Sequence, residues 1–253
     1  MQPGNIAIIG GTGFEVLPSE IYAETLDVAT RRGNARVLSV SDNYTEPHKL
    51  YFLSRHGAEH GLAPHNINYG ANILALKELE VRYVFATNAV GALRADLIPG
   101  TFVIMDDFVD FTKHREPTLF TESLWHHSDF SAPYSPLLRE LLIDAVRIAE
   151  APCAVKGTYV CCDGPRFESP AEVRLFRQWG GDVVGMTGLP EAIFAREAGL
   201  EYAAVGIVTN LGAGLTDLPV SHSDVVLQMA SRLPLLREIC VSAARQLARL
   251  WEG

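Results

Sequence analysis

Asn5-Ile6-Ala7-Ile8-Ile9-Gly10-Gly11-Thr12-Gly13 is the stretch on which the fold turns. A nearly continuous apolar run of strand length passes straight into three glycines within four positions. Such a run reads as a strand covered on both faces, which is the habit of parallel sheets. Similar runs recur at 35–40, Leu50–Ser54, 82–87, 101–108, 157–162, 182–186 and 201–209. Helical patterns with readable ends lie between them. Ser135-Pro136 opens a helix over 137–149, with an N-cap and a proline at the first helical position. Ser169-Pro170-Ala171-Glu172 spells a capping box, and Gly180-Gly181 closes that helix. Pro190 starts Glu191–Ala198 and Gly199 ends it. From Ser223 onward the period is helical, and Pro234 predicts a break or kink. Strand alternating with helix implies an α/β class: one domain over 1–253, with a central mixed, largely parallel β-sheet flanked by helices. Residues 110–135 form the one long irregular stretch, which either carries function or hides short elements.

The composition narrows the partners. The chain has 253 residues, 48% of them hydrophobic and 20% charged, which excludes a disordered chain. Twenty-one basic against 30 acidic residues give a net charge of −9, without a Lys/Arg cluster. Nucleic acid and anionic membrane surfaces are therefore not expected partners. A small anion remains compatible, because a few local donors suffice to hold it. Cys153, Cys161, Cys162 and Cys240 contain no C-x-x-C pair and read as core thiols of a reducing compartment. Met1-Gln2-Pro3-Gly4-Asn5 carries no basic leader, and no stretch approaches the roughly 18 apolar residues of a membrane span. The expected location is cytoplasmic.

In open α/β sheets ligands collect beyond the carboxyl ends of the strands. Glycine, hydroxyl, Arg, His, Asn and Glu recur at those places here. They comprise Gly10-Gly11-Thr12-Gly13, Ser54-Arg55-His56-Gly57, Asn88-Ala89-Val90-Gly91, Asp163-Gly164-Pro165-Arg166-Phe167-Glu168, Met186-Thr187-Gly188 and Thr209-Asn210. The glycine loop admits three readings. Its N–H groups and the Thr12 hydroxyl cradle a phosphate or another small anion; it is a Rossmann dinucleotide loop; or it is a plain turn. Against the second, Val16 stands where a third small residue belongs, Leu17-Pro18-Ser19 spoils an immediate long helix, and no ribose-binding acid follows. No Gly-Lys-Ser/Thr follows for a Walker loop either. His56-Gly57-Ala58-Glu59-His60 matches H-x-x-E-H, but its glycines and Pro64 oppose the continuous helix a zinc site needs. Arg55 and His56 more naturally bring charge and hydrogen bonds to an anion at a strand end. His48, His60 and His114 read as surface residues. Glu168, ahead of the capping-box serine, is either dipole compensation or a buried acceptor for a ligand N–H, with Phe167 as a stacking face. Met186 alone reads as core packing.

Several of these blocks, in this order, resemble the trimeric purine nucleoside phosphorylase and methylthioadenosine phosphorylase family. They are Ile8-Ile9-Gly10-Gly11-Thr12-Gly13, Ser54-Arg55-His56-Gly57, Asn68-Tyr69 through Ala75-Leu76-Lys77, Gly164-Pro165-Arg166-Phe167-Glu168, and Val184-Gly185-Met186-Thr187-Gly188-Leu189-Pro190-Glu191. The match covers nearly the whole chain, and its overall pattern is closest to the methylthioadenosine or methylthioinosine branch. The resemblance implies phosphorolysis of a purine nucleoside to free base and ribose 1-phosphate, or its 5-methylthio analogue. Inorganic phosphate is then a co-substrate, and no metal or organic cofactor is implied. It further implies a phosphate site of Thr12, Arg55, His56, Ala89 and Thr187. Met186 would lie against the ribose and Phe167 on the base, with catalytic parts for Asn210, His56 and Arg55. His127 would reach a neighbour's 5′ pocket, in a homotrimer or a dimer of trimers. Asn88 stands where methylthioadenosine enzymes carry Thr and many purine nucleoside phosphorylases Asn. Two departures bear on substrate. The adenosine-type Thr-Asp-x-Asp is here Thr209-Asn210-Leu211-Gly212, and Glu168 replaces a serine. A 6-oxopurine offers an N1–H donor to Glu168 and an O6 acceptor to the Asn210 amide; adenine offers the reverse. His222 aligns with a 5′-hydroxyl-binding histidine, or simply sits near the last helix's start. The expected substrates are inosine and guanosine, with methylthioinosine or methylthioadenosine as the alternative and an NAD(P)-binding Rossmann protein as the rival class.

Overall fold

The computed structural model describes residues 2–14, 22–40, 45–57, 61–121 and 125–251. Residues 16–19, and Ala58, Glu59 and His60 of the H-x-x-E-H run, lie outside the described residues. The opening apolar run is strand β1 (Asn5–Gly10), and its side chains alternate between two interiors. Ile6 and Ile8 enter one core, built with α2 (Pro136–Ile148) and α5 (His222–Arg249). Ala7 and Ile9 enter the other, beneath α1 (Tyr69–Glu78) and α4 (Glu191–Ala198). This is the period-2 signature of a strand sandwiched between helical layers. Each Ile, Leu or Phe buried there contributes about 1.5–3 kcal/mol from apolar transfer.

The remaining strands are β2 (Tyr22–Thr30), β3 (Gly33–Val40), β4 (Leu50–Ser54), β5 (Val81–Ala92), β6 (Phe102–Ile104), β7 (Asp107–Asp110), β8 (Cys153–Ala154), β9 (Thr158–Cys161), β10 (Val183–Gly185) and β11 (Glu201–Leu211). They form one mixed sheet in the order β2-β3-β4-β1-β5-β10-β9-β7, with β11 on β5 and leading to β6 and β8. β1 runs parallel to β4 and β5, β11 parallel to β5, and β9 parallel to β7 and β10. The antiparallel pairs are β2–β3, β3–β4, β5–β10 and β6–β11. α3 (Pro170–Gln178) opens on the expected capping box, with Ser169 and Glu172 bonded reciprocally. Gly199 closes α4 in the left-handed region, at φ 81°.

The structure corrects the expectation at several points. β5 does not stop at Thr87: Asn88-Ala89-Val90-Gly91 belongs to the strand, because β11 continues to pair with it. The run 101–108 divides into β6 and β7. β2 escapes an apolar search because Glu24 and Asp27 interrupt it at the sheet's edge. α1 escapes because Tyr69, Ala71, Ile73, Leu74, Ala75 and Leu76 are all buried, which erases helical periodicity. Ser135 precedes α2 but makes no side-chain cap bond; its N–H donates to the Tyr202 carbonyl. α5 is unbroken through Pro234, which lies on its exposed face beside an exposed Ala230. Water can solvate the carbonyl that the missing N–H leaves open. His48 is half-buried, with its ring 4.3 Å from that of Trp251. Among the described residues no helix is long and apolar enough to cross a membrane.

Candidate active site

Beyond the carboxyl ends of β1, β9 and β10 and along the C-terminal parts of β5 and β11 lies a cavity of about 300 Å³. It brings together Thr12, His56, Ala89, Phe167, Glu168, Met186, Thr187, Asn210 and His222. Two expected members stand apart. His127 is exposed, its ring 5.4 Å from that of Trp125, and does not line this chain's cavity. Arg55 does not line it either, and its surroundings differ from a free cationic anchor.

The Arg55 and Glu191 side chains are both 0% exposed. Arg55 Nε and Nη2 each donate to a Glu191 carboxylate oxygen at 2.7 Å, and Nη1 donates to the Thr87 carbonyl at 2.7 Å. Tyr202 adds its hydroxyl to the same carboxylate at 2.8 Å. Burial by itself lowers the Arg55 pKa, but the Glu191 charge and hydrogen bonds outweigh it and hold the guanidinium above its ordinary value. Three of its five N–H groups are spent, leaving one on each Nη. The guanidinium lies under the glycine loop: a Cβ on Gly11 would stand 2.7 Å from Arg55 Nη1 and 2.8 Å from the Thr87 carbonyl oxygen. Glycine is required there by that approach. Gly11's own N–H goes to Thr87 Oγ1 at 3.0 Å. The amide cradle is therefore narrower than the glycine spacing implies.

A carbonyl only accepts, so the 2.8 Å contact between His56 Nδ1 and the Leu62 carbonyl puts a hydrogen on Nδ1; in the neutral ring the lone pair is then on Nε2. Asn88 Nδ2 donates to Thr187 Oγ1 at 3.0 Å, which leaves the Thr187 hydroxyl hydrogen to point elsewhere. The Asn88 Oδ1 is buried without a partner among the described residues. The amides of Thr187 and Gly188 are occupied: both donate to the Tyr159 hydroxyl, at 3.2 and 3.1 Å. That ring lies under Gly185 and Gly188, where a Cβ would meet it at 2.9 and 2.7 Å.

At the other end of the cavity, Asn210 follows a register shift in β11 between Val208 and Asn210. Its Nδ2 donates to the Leu211 carbonyl at 3.0 Å, and its Oδ1 lies 2.9 Å from Thr209 Oγ1. Because the Leu211 oxygen only accepts, the amide cannot be turned over. The single Thr209 hydroxyl hydrogen is shared between Asn210 Oδ1 at 2.9 Å and the Val90 carbonyl at 3.2 Å, and the second Nδ2 hydrogen is left over. Glu168 is half-buried, and that burial pushes its carboxyl above the usual range; the neighbouring Cys162 thiol donates to it and works the other way. Burial likewise pushes the Cys162 thiol up. Gly164 sits in the left-handed region at φ 67°, with its missing Cβ only 2.4 Å from Met186 Sδ. The base-side loop thus packs directly on Met186. Reading the sequence missed Thr87, Tyr159 and the partnership of Glu191 with Arg55, and it gave Thr209 a place but no task. These act through other residues, and nothing in spacing marks them.

The chain can now be set beside known proteins. A family profile described as Phosphorylase superfamily matches residues 5–245. The 6-oxopurine nucleoside phosphorylase of Pyrococcus furiosus is 45% identical over 228 residues, covering 87% of this chain and 84% of that protein. A protein of Methanopyrus kandleri named probable S-methyl-5′-thioinosine phosphorylase is 44% identical over 216 residues, covering 84% of this chain and 80% of its own length. Among solved structures, methylthioadenosine phosphorylase from Schistosoma mansoni in complex with tubercidin superposes with a TM-score of 0.87 at 30% identity. It covers 97% of this chain and 92% of that one. Family, fold and the converging strand ends agree: the chain belongs to the phosphorylase superfamily, as an enzyme of its purine nucleoside phosphorylase group.

Proposed function

We propose that the protein catalyses phosphorolysis of 6-oxopurine nucleosides, inosine and guanosine, to free base and ribose 1-phosphate. The observation that carries this reading is the Glu168–Asn210 pair in one cavity, with the Asn210 amide held so that a hydrogen is left to donate. Glu168 accepts from N1–H, Asn210 donates to O6 or N7, and Phe167 packs on the ring. Thr12, His56, Ala89 and Thr187 receive phosphate, with Arg55 outside the lining, beneath the Gly11 backbone, holding the glycine loop from below. Met186 lies against the ribose.

In the reaction a phosphate oxygen bonds to C1′ as the C1′–N9 bond breaks, and that bond's electron pair passes into the purine. The proton carried by monohydrogen phosphate ends on a purine nitrogen, so charge balances without a metal or organic cofactor. His56 Nε2 accepts a hydrogen bond from that phosphate hydroxyl. The bound anion stabilises the oxocarbenium charge developing at C1′. Asn210 stabilises the leaving base. His222 at the cavity's edge takes the 5′-hydroxyl. His127, exposed and away from its own chain's cavity, completes a neighbour's 5′ pocket in a trimer or a dimer of trimers, each chain one domain in the cytoplasm. A second reading, S-methyl-5′-thioinosine phosphorolysis, is favoured by apolar Leu62 and Val225 in the same lining.

Purified protein with phosphate is expected to release hypoxanthine from inosine and little adenine from adenosine. Equal rates on the two would sink the base-recognition argument, and a parallel 5′-methylthioinosine assay separates the two readings. Acidity gives a further check. Ionised Glu168 accepts from N1–H far more strongly than the neutral acid, and burial raises its pKa, so kcat/KM for inosine is expected to fall on the acid side at a pH above the usual 4.5 of a glutamate. Glu168→Gln is expected to abolish that limb; a variant that retains it would assign the limb to another group.

A further inference from the structure

The irregular stretch after β7 contains Arg115, whose side chain is 5% exposed. Its guanidinium is not in the cavity lining, yet it touches the backbone from which much of that lining hangs. Nη2 donates to the carbonyls of Met186 at 2.6 Å, Asp163 at 3.0 Å and Cys162 at 3.3 Å, and Nη1 donates to the Leu189 carbonyl. Nε stands 3.5 Å from Asp163 Oδ1, while Asp163 Oδ2 accepts the Lys113 N–H at 3.0 Å. The Tyr69 ring of α1 lies 5.2 Å from the guanidinium carbon.

β9 and β10 are parallel neighbours, so their chains leave the sheet on the same side. The carbonyls that follow them converge, and converging carbonyl dipoles repel. A planar cation with five donors relieves that repulsion and ties the two loops to each other. One loop proceeds to Phe167 and Glu168; the other is Met186-Thr187-Gly188. Among the described residues Arg115 makes no hydrogen bond to the glycine loop or to His56, and Thr187 is the one phosphate-site residue on the loops it ties.

We propose that Arg115 is a positioning residue for the nucleoside: it sets the base-binding loop and the Met186 loop at a fixed separation. This rests on the phosphorolysis reading and assigns the long irregular stretch a task within its own subunit. Loss of the clasp shifts base relative to ribose, and a displacement near 1 Å costs up to about 100-fold in rate.

The test compares wild type with Arg115→Met, which keeps the length and removes the donors, and with Arg115→Lys. For Arg115→Met the inosine KM is expected to rise about 10-fold or more with kcat reduced, and the phosphate KM, which the clasp reaches only through Thr187, to rise by a smaller factor than the inosine KM. Arg115→Lys is expected to fall between, since one ammonium cannot span four carbonyls. A variant with unchanged inosine KM, and kcat lowered only in proportion to its folded fraction, overturns the proposal. Amide hydrogen exchange supplies a readout independent of substrate. Residues 163–168 and 186–189 are expected to exchange faster together, with β1 and β5 unchanged; no acceleration at either loop overturns the clasp. If Arg115→Met does not fold, Arg115→Lys carries both measurements. A wild type inert toward every nucleoside would refute the functional reading, while the exchange data would still decide the clasp.

Discussion

Asn210→Asp is expected to lower kcat/KM for inosine by about 10³-fold, because a site built to hydrogen-bond one edge rejects the complementary one strongly. In the wild type the amide nitrogen faces the Leu211 carbonyl at 3.0 Å and the amide oxygen faces Thr209. With aspartate, the oxygen that replaces Nδ2 faces both that carbonyl and the base, and the other oxygen stays with Thr209. An acceptor then confronts O6 where a donor stood. A 6-amino group supplies the missing hydrogen, so the preference shifts toward adenosine. The reversal stays incomplete, because Glu168 still presents an acceptor to the N1 lone pair of adenine. The ratio of kcat/KM for inosine to that for adenosine is the quantity to measure. A ratio unchanged within threefold would remove Asn210 from base recognition.

The second large effect concerns stability. Glu191→Gln is expected to cost about 3–5 kcal/mol, the usual penalty for stripping one partner from a buried ion pair. Arg55 has no water to turn to, being 1% exposed. Its charge would stand directly under Gly11, so the glycine loop is expected to shift and the phosphate KM to rise. Urea denaturation measures the first effect and initial rates the second. Removing both charges, in Arg55→Met with Glu191→Leu, is expected to recover much of the stability but not phosphate use. A Glu191→Gln protein within about 1 kcal/mol of wild type would show that the pair does not anchor the loop.

Much of this was legible in the residues. β1, β4 and α4 announce themselves through apolar runs and end signals, and strand-end loops point to the cavity before any coordinate is known. What escaped has physical causes. α1 carries no periodic signal because every face of its first half is buried. β2 is an edge strand with charges in it. Asn88 looked like the start of a loop because polarity is visible in a sequence, whereas the pairing of β5 with β11 is not. Arg55 and His56 are adjacent in sequence, yet one lines the cavity and the other pairs with Glu191, 136 positions away. No local spacing encodes a partner at that distance.

Tyr159 has a consequence for how this region can change over generations. Its hydroxyl holds the amides of Thr187 and Gly188, and its ring fills the space where side chains on Gly185 and Gly188 would stand. Any side chain at either glycine collides with the ring, and loss of the hydroxyl strands two amides. The three positions are therefore mutually constrained: drift at one is admissible only after the others have moved, and viable intermediates between alternative solutions are few.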